Sequence, residues 1–158
     1  MGAKLLLFLM LFTAGALPAQ AKNEFFAGPL AEASFYSRKT AAYGGGFILG
    51  GGGGPTALGL MVACLVDGEN ITTLEATTFL RVYVLPGKER EGLFAQLNAG
   101  LALFNLEGVS VPAESGTLSV GLMAGWRFLL GRHWYVDSII RTGWPYIAGA
   151  GVSAGFRF

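Results

Sequence analysis

Seven charged residues lie in stretches where apolar residues alternate with small or polar ones: Glu32, Glu75, Arg81, Arg127, Asp137, Arg141 and Arg157. Three carboxylates and four guanidiniums in such a pattern have two uses. Gathered in a packed interior they must pair, because an uncompensated buried charge is costly. Lining an open path, they would set its ion selectivity. Glu75 and Arg81 are the most informative, since Thr73, Glu75, Thr77, Phe79, Arg81 and Tyr83 form one continuous row at period two. A selective path would place its filter on that row.

Other chemistry finds little support. Nucleophilic catalysis needs a base and a hydroxyl within hydrogen-bond reach. The chain has one histidine, His133, and the nearest serine, Ser138, falls on the opposite strand face from an inward base. No catalytic residues are therefore expected. Cys64 stands alone among Val62, Ala63 and Leu65 and reads as a small hydrophobe, giving neither a disulfide nor a metal site. The run Gly50 to Gly54 lacks the Gly-Lys-Ser/Thr ending of a phosphate loop and suits a hairpin turn. Asn70-Ile71-Thr72 matches a glycosylation sequon by spelling alone. No cofactor follows.

The elements that must hold the seven charges are strands. Of 158 residues, 53% are hydrophobic, 25 are glycine and 13% are charged, about half the charge of an ordinary soluble domain. That composition suits a chain whose outer surface meets lipid. Residues Met1 to Ala21 have the form of a cleaved secretory signal: Lys4, an apolar core from Leu5 to Phe12, and Ala19-Gln20-Ala21. The mature chain, 22–158, then forms one domain of near-zero net charge, which does not favour nucleic-acid binding. The uncharged region from Thr40 to Val66 cannot be a membrane helix, because five glycines and Pro55 break its middle. Each flank has about ten residues, half a bilayer as helix but a full crossing as a tilted strand.

Alternation is clearest where Leu118, Val120, Leu122, Ala124, Trp126 and Phe128 share one face opposite Ser119, Gly121, Met123, Gly125 and Arg127. Along the chain it predicts eight strands: Glu24 to Tyr36, Tyr43 to Gly51, Thr56 to Val66, Ile71 to Leu85, Leu93 to Phe104, Thr117 to Leu129, Trp134 to Arg141, and Ala148 to Phe158. An open sheet edge in lipid leaves backbone groups unpaired, so the sheet must close into an antiparallel up-and-down barrel. Connectors Gly52 to Pro55, Pro86 to Gly92 and Leu130 to His133 fall at one end, expected to be periplasmic. Ser37 to Ala42, Asp67 to Asn70, Asn105 to Gly116 and Thr142 to Ile147 fall at the other. Phe128, Trp134 and Phe158 are expected at the periplasmic rim, with Trp144 and Tyr146 at the opposite rim, as a membrane girdle requires. Eight strands leave little free lumen, so the seven charges are expected to form an ion-paired plug rather than a conducting pore.

The ending Val152-Ser153-Ala154-Gly155-Phe156-Arg157-Phe158 alternates and stops on phenylalanine. With the signal and strand count, it resembles the small outer-membrane barrels grouped around the OmpA membrane domain, OmpX and OmpW. The resemblance implies outer-membrane lipids as surroundings and recognition by the barrel assembly machinery through Phe156 and Phe158. With no catalytic pair in the sequence, the leading reading is a non-enzymatic membrane barrel, structural or allowing limited passive passage of small solutes. The alternatives are a lipid-modifying enzyme of the outer membrane and a soluble periplasmic β-barrel or sandwich that binds a ligand. The sequence leaves the oligomeric state open.

Overall fold

The computed structural model describes residues 24–36, 40–68, 71–84, 90–106 and 115–158. The segment read as a secretory signal lies outside them. Eight strands follow in order: β1 (Glu24–Tyr36), β2 (Ala41–Gly52), β3 (Thr56–Asp67), β4 (Ile71–Tyr83), β5 (Gly92–Leu106), β6 (Ser115–Leu130), β7 (Trp134–Trp144) and β8 (Tyr146–Arg157). Each pairs antiparallel with its neighbours, and β8 returns to β1, giving a closed all-β barrel. Phe25 and Phe158 exchange two 2.9 Å backbone hydrogen bonds at this seam. Closure gives every strand two partners and so removes the open edge.

Period-two alternation becomes an inside and an outside. On β6, Ser119, Gly121, Met123 and Arg127 are buried, whereas Leu118, Val120, Leu122, Trp126 and Phe128 are exposed. Phe25, Phe47, Leu60, Leu74, Leu97, Ile140 and Val152 continue the exposed apolar wall around the barrel. Among the described residues, no strand turns a charged side chain outward. Trp134 and Trp144, both exposed, mark the two ends of β7. Ten residues of strand tilted by roughly 40° separate them by about 25 Å along the axis, the height of a lipid-facing apolar band.

Two expectations need correction. Tyr146 does not join Trp144 on the outer rim; it is fully buried in the lumen beside Tyr36. The cause is a register shift between Phe35 and Tyr36, which pairs Tyr36 with Tyr146 while Phe35 pairs with Ala148. The expected connector Thr142 to Ile147 is also far shorter, because β7 runs to Trp144 and β8 resumes at Tyr146 with only Pro145 between. Elsewhere β2 and β6 start earlier than alternation alone marked, since ladder hydrogen bonds continue until the chain must turn. The described turns at the termini end carry glycine where the backbone requires it, at Gly54 (φ 61°) and Gly131 (φ 73°).

Inside, large rings lie over glycines of other strands. A Cβ on Gly50 would come within 2.5 Å of Phe26 Cζ and 2.9 Å of Phe79 Cζ, and one on Gly125 within 2.5 Å of Phe94 Cζ. These glycines admit the rings that fill a narrow lumen. Gly50→Val is accordingly expected to destabilise the barrel by about 1–3 kcal/mol through overpacking. The check is a lowered urea midpoint in detergent micelles.

Candidate functional site: an ion-paired lumen

The structure turns all seven charged residues inward and arranges six of them in two layers. The layer nearer the termini centres on Asp137 of β7, which faces Arg127 across the β6–β7 ladder. Arg127 grips it with two hydrogen bonds, Nε to Oδ1 and Nη2 to Oδ2, each 2.7 Å. Arg81 of β4 donates from Nη1 to Oδ2 across the lumen, also at 2.7 Å. Its Nε donates to Gln96 Oε1 at 2.7 Å, and Gln96 in turn donates to Asn98. Neither guanidinium nor the carboxylate has any solvent exposure.

Aromatic faces surround this layer. The Arg81 guanidinium carbon lies 3.9 Å from the Phe94 ring centre, and that of Arg127 lies 4.1 Å from Tyr135 and 4.3 Å from Phe26. Such contacts attract a cation through the ring quadrupole, most strongly when water is excluded. They compensate a layer in which two cations share one anion.

The second layer inverts that arrangement. Arg141, four residues beyond Asp137 on the same face of β7, is one cation between two anions. Its Nη1 donates to both oxygens of Glu32 on β1 at 2.6 and 2.8 Å. Its Nη2 donates to both oxygens of Glu75 on β4 at 2.8 and 2.9 Å. Ser34 donates to Glu32 and Ser119 to Glu75, so each carboxylate has a second donor. The Tyr146 ring covers the Arg141 guanidinium at 3.4 Å, and its hydroxyl reaches Glu75 at 3.3 Å.

The layers lie about 13 Å apart along β7. At that distance their opposite net charges attract by only about 1 kcal/mol at an effective dielectric constant near 20. Each layer therefore acts as a local charge. The seventh residue, Arg157, stands apart from both and pairs with Glu24 at 3.5 Å by the termini.

Alternation places Ser119 and Tyr83 on the inner face without naming their partners; sequence reasoning missed Glu24, Ser34, Gln96, Asn98 and the inward Tyr36, Tyr135 and Tyr146. Strand parity was the available signal: Gln96 and Asn98 share a face with Phe94, and Glu24 shares one with Phe26. His133 is exposed in the β6–β7 turn, stacked on Phe156, with Nδ1 3.4 Å from the Arg157 carbonyl oxygen. Ser138 faces outward toward the Trp126 carbonyl, so the two do not meet. Phe156 and Phe158 are both on the outside, near His133, Trp134 and Phe25.

No protein-family model matches the chain, and no curated protein matches it. Its architecture is similar to solved structures of small barrels. The N-terminal β-barrel domain of Pseudomonas aeruginosa OprF aligns with TM-score 0.60 at 18% identity, covering 88% of this chain and all (100%) of that one. Neisserial surface protein A aligns with TM-score 0.56 at 12% identity, over 85% and 95% of the two chains. Ail, the attachment invasion locus protein of Yersinia pestis, gives 0.52 at 14%, over 87% and 99%. The closed eight-stranded antiparallel β-barrel is the fold that this chain shares with these small outer-membrane barrels.

Proposed function

We propose that the chain is a non-catalytic integral protein of a bacterial outer membrane, exported by a cleaved signal, with its lumen closed by the two ion-paired layers. Its role is structural, with at most limited passive passage of small solutes. The observation that carries this reading is the division of charge: the described strands turn no charged side chain onto the outer wall, which is apolar, and bury most of their charges inside. In water that wall would be an aggregation surface; in lipid it is the solvated face. The termini end would face the periplasm. Phe156 and Phe158, exposed at the closing strand, would offer the apolar alternation read by the assembly machinery.

The mature protein is expected to require detergent and to migrate as a compact gel band that shifts on boiling. Ready solubility without detergent would refute the membrane reading. In planar bilayers neither wild type nor Glu75→Ala is expected to hold a stable open level. A steady wild-type current that changes in Glu75→Ala would establish a selective pore instead.

A further inference from the structure

We propose that the lumen is a bipolar barrier, with a net positive layer toward the termini and a net negative layer toward the far end, and that it rejects ions of either sign. This rests on the membrane-spanning reading above. Near the termini, Arg81 and Arg127 outnumber Asp137; further along, Glu32 and Glu75 outnumber Arg141. Arg90, buried at the termini end with Nε 2.9 Å from the Gly54 carbonyl oxygen, adds positive charge on that side. The Arg157–Glu24 pair adds none.

An ion entering from either end meets one layer of its own sign. A cation from the far end is drawn toward Glu32 and Glu75, then opposed by Arg81 and Arg127. An anion from the termini end meets the reverse. Side chains close the path in the native barrel, so the electrostatic order becomes measurable once the lumen is widened with the layers intact. Along the tilted barrel axis the layers are about 10 Å apart, close to the Debye length of about 10 Å at 0.1 M salt, so the fields of both layers still reach the path between them there.

A widened lumen must then rectify. With the far-end compartment positive, cations cross the negative layer and anions the positive layer, and both accumulate between the layers. With the polarity reversed, both are drawn away and the region between is depleted. Current is therefore larger with the far end positive.

The experiment uses planar bilayers and KCl. The widened protein is the full chain with Ile48→Ala, Met61→Ala and Met123→Ala, buried apolar side chains that belong to neither layer; a milder form carries Met61→Ala and Met123→Ala alone. Folding is verified first by the gel shift, which tests the membrane reading separately from the charge order. Expected is a current about twofold or more larger at far-end-positive potential in 0.1 M KCl, fading toward 1 M as screening shortens. Arg81→Gln in the widened background, which leaves only the net negative layer, should abolish rectification and favour cations. Glu32→Gln should abolish it and favour anions. A folded, widened barrel with equal currents in both polarities, or with a ratio indifferent to Arg81→Gln and Glu32→Gln, overturns the proposal. So does failure of both folded forms to conduct, because the path is then not closed where the layers lie.

Discussion

Asp137→Ala is expected to cost on the order of 3–5 kcal/mol of barrel stability, the penalty for leaving buried charge uncompensated. The cost lies less in the lost carboxylate than in what it leaves behind. Arg81 and Arg127 both direct donors at Asp137 at 2.7 Å, and neither guanidinium is solvent-exposed. Without the carboxylate, two cations share a site with Phe26, Phe94 and Tyr135, whose faces attract a cation but accept few hydrogen bonds. Asp137→Asn keeps the shape and one acceptor and should fall between wild type and alanine. The decisive comparison is the triple variant Arg81→Met, Arg127→Met, Asp137→Leu. It removes the whole layer at similar volume and should recover most of the loss, because a complete buried ion cluster contributes little net stability over apolar packing. Urea midpoints of refolding into lipid vesicles would rank the four proteins. A single variant as stable as wild type would show that water reaches the layer.

The geometry of strands decides how much of this arrangement the sequence carries. Period two gives each residue a side, so Glu75 and Arg81, six apart on β4, could be placed on one face from sequence alone. Which charge meets which depends on strand tilt and on reach across the lumen. Arg141 meets Glu32, 109 residues earlier in the chain, and no local pattern states that partnership. Equal numbers of opposite charge could equally have formed three isolated pairs. The observed grouping of two with one, then one with two, arises because β7 carries Asp137 and Arg141 four residues apart on its inner face. Tyr146 escaped alternation for a related reason: a shift in register at Phe35–Tyr36 moves its side chain inward, and parity cannot count across an irregularity it does not see.

Glycine tells the same story on a smaller scale. The run Gly50 to Gly54 with Pro55 argues against a helix. The purpose of glycine inside the barrel is legible only once Phe26, Phe79 and Phe94 are seen over Gly50 and Gly125. Ring and glycine are complementary across strands, and the partners are set by register, which composition does not contain.

Arg141→Met should be the second most damaging substitution, again on the order of 3–5 kcal/mol, with the opposite electrostatic consequence. It leaves Glu32 and Glu75 facing each other across the lumen, each still held by a serine hydroxyl but without a cation. Arg141→Lys tests geometry rather than charge. The guanidinium serves Glu32 with Nη1 and Glu75 with Nη2, whereas one ammonium cannot match two carboxylates in this forked manner. Lysine should thus recover only part of the loss. Adding Glu32→Gln and Glu75→Gln to Arg141→Met removes the repulsion and should restore more stability than lysine does. If lysine alone restored wild-type stability, the layer would be a loose cluster of charge. If only the neutral triple did so, the layer would be a fitted joint between β1, β4 and β7, in which one side chain answers two strands at once.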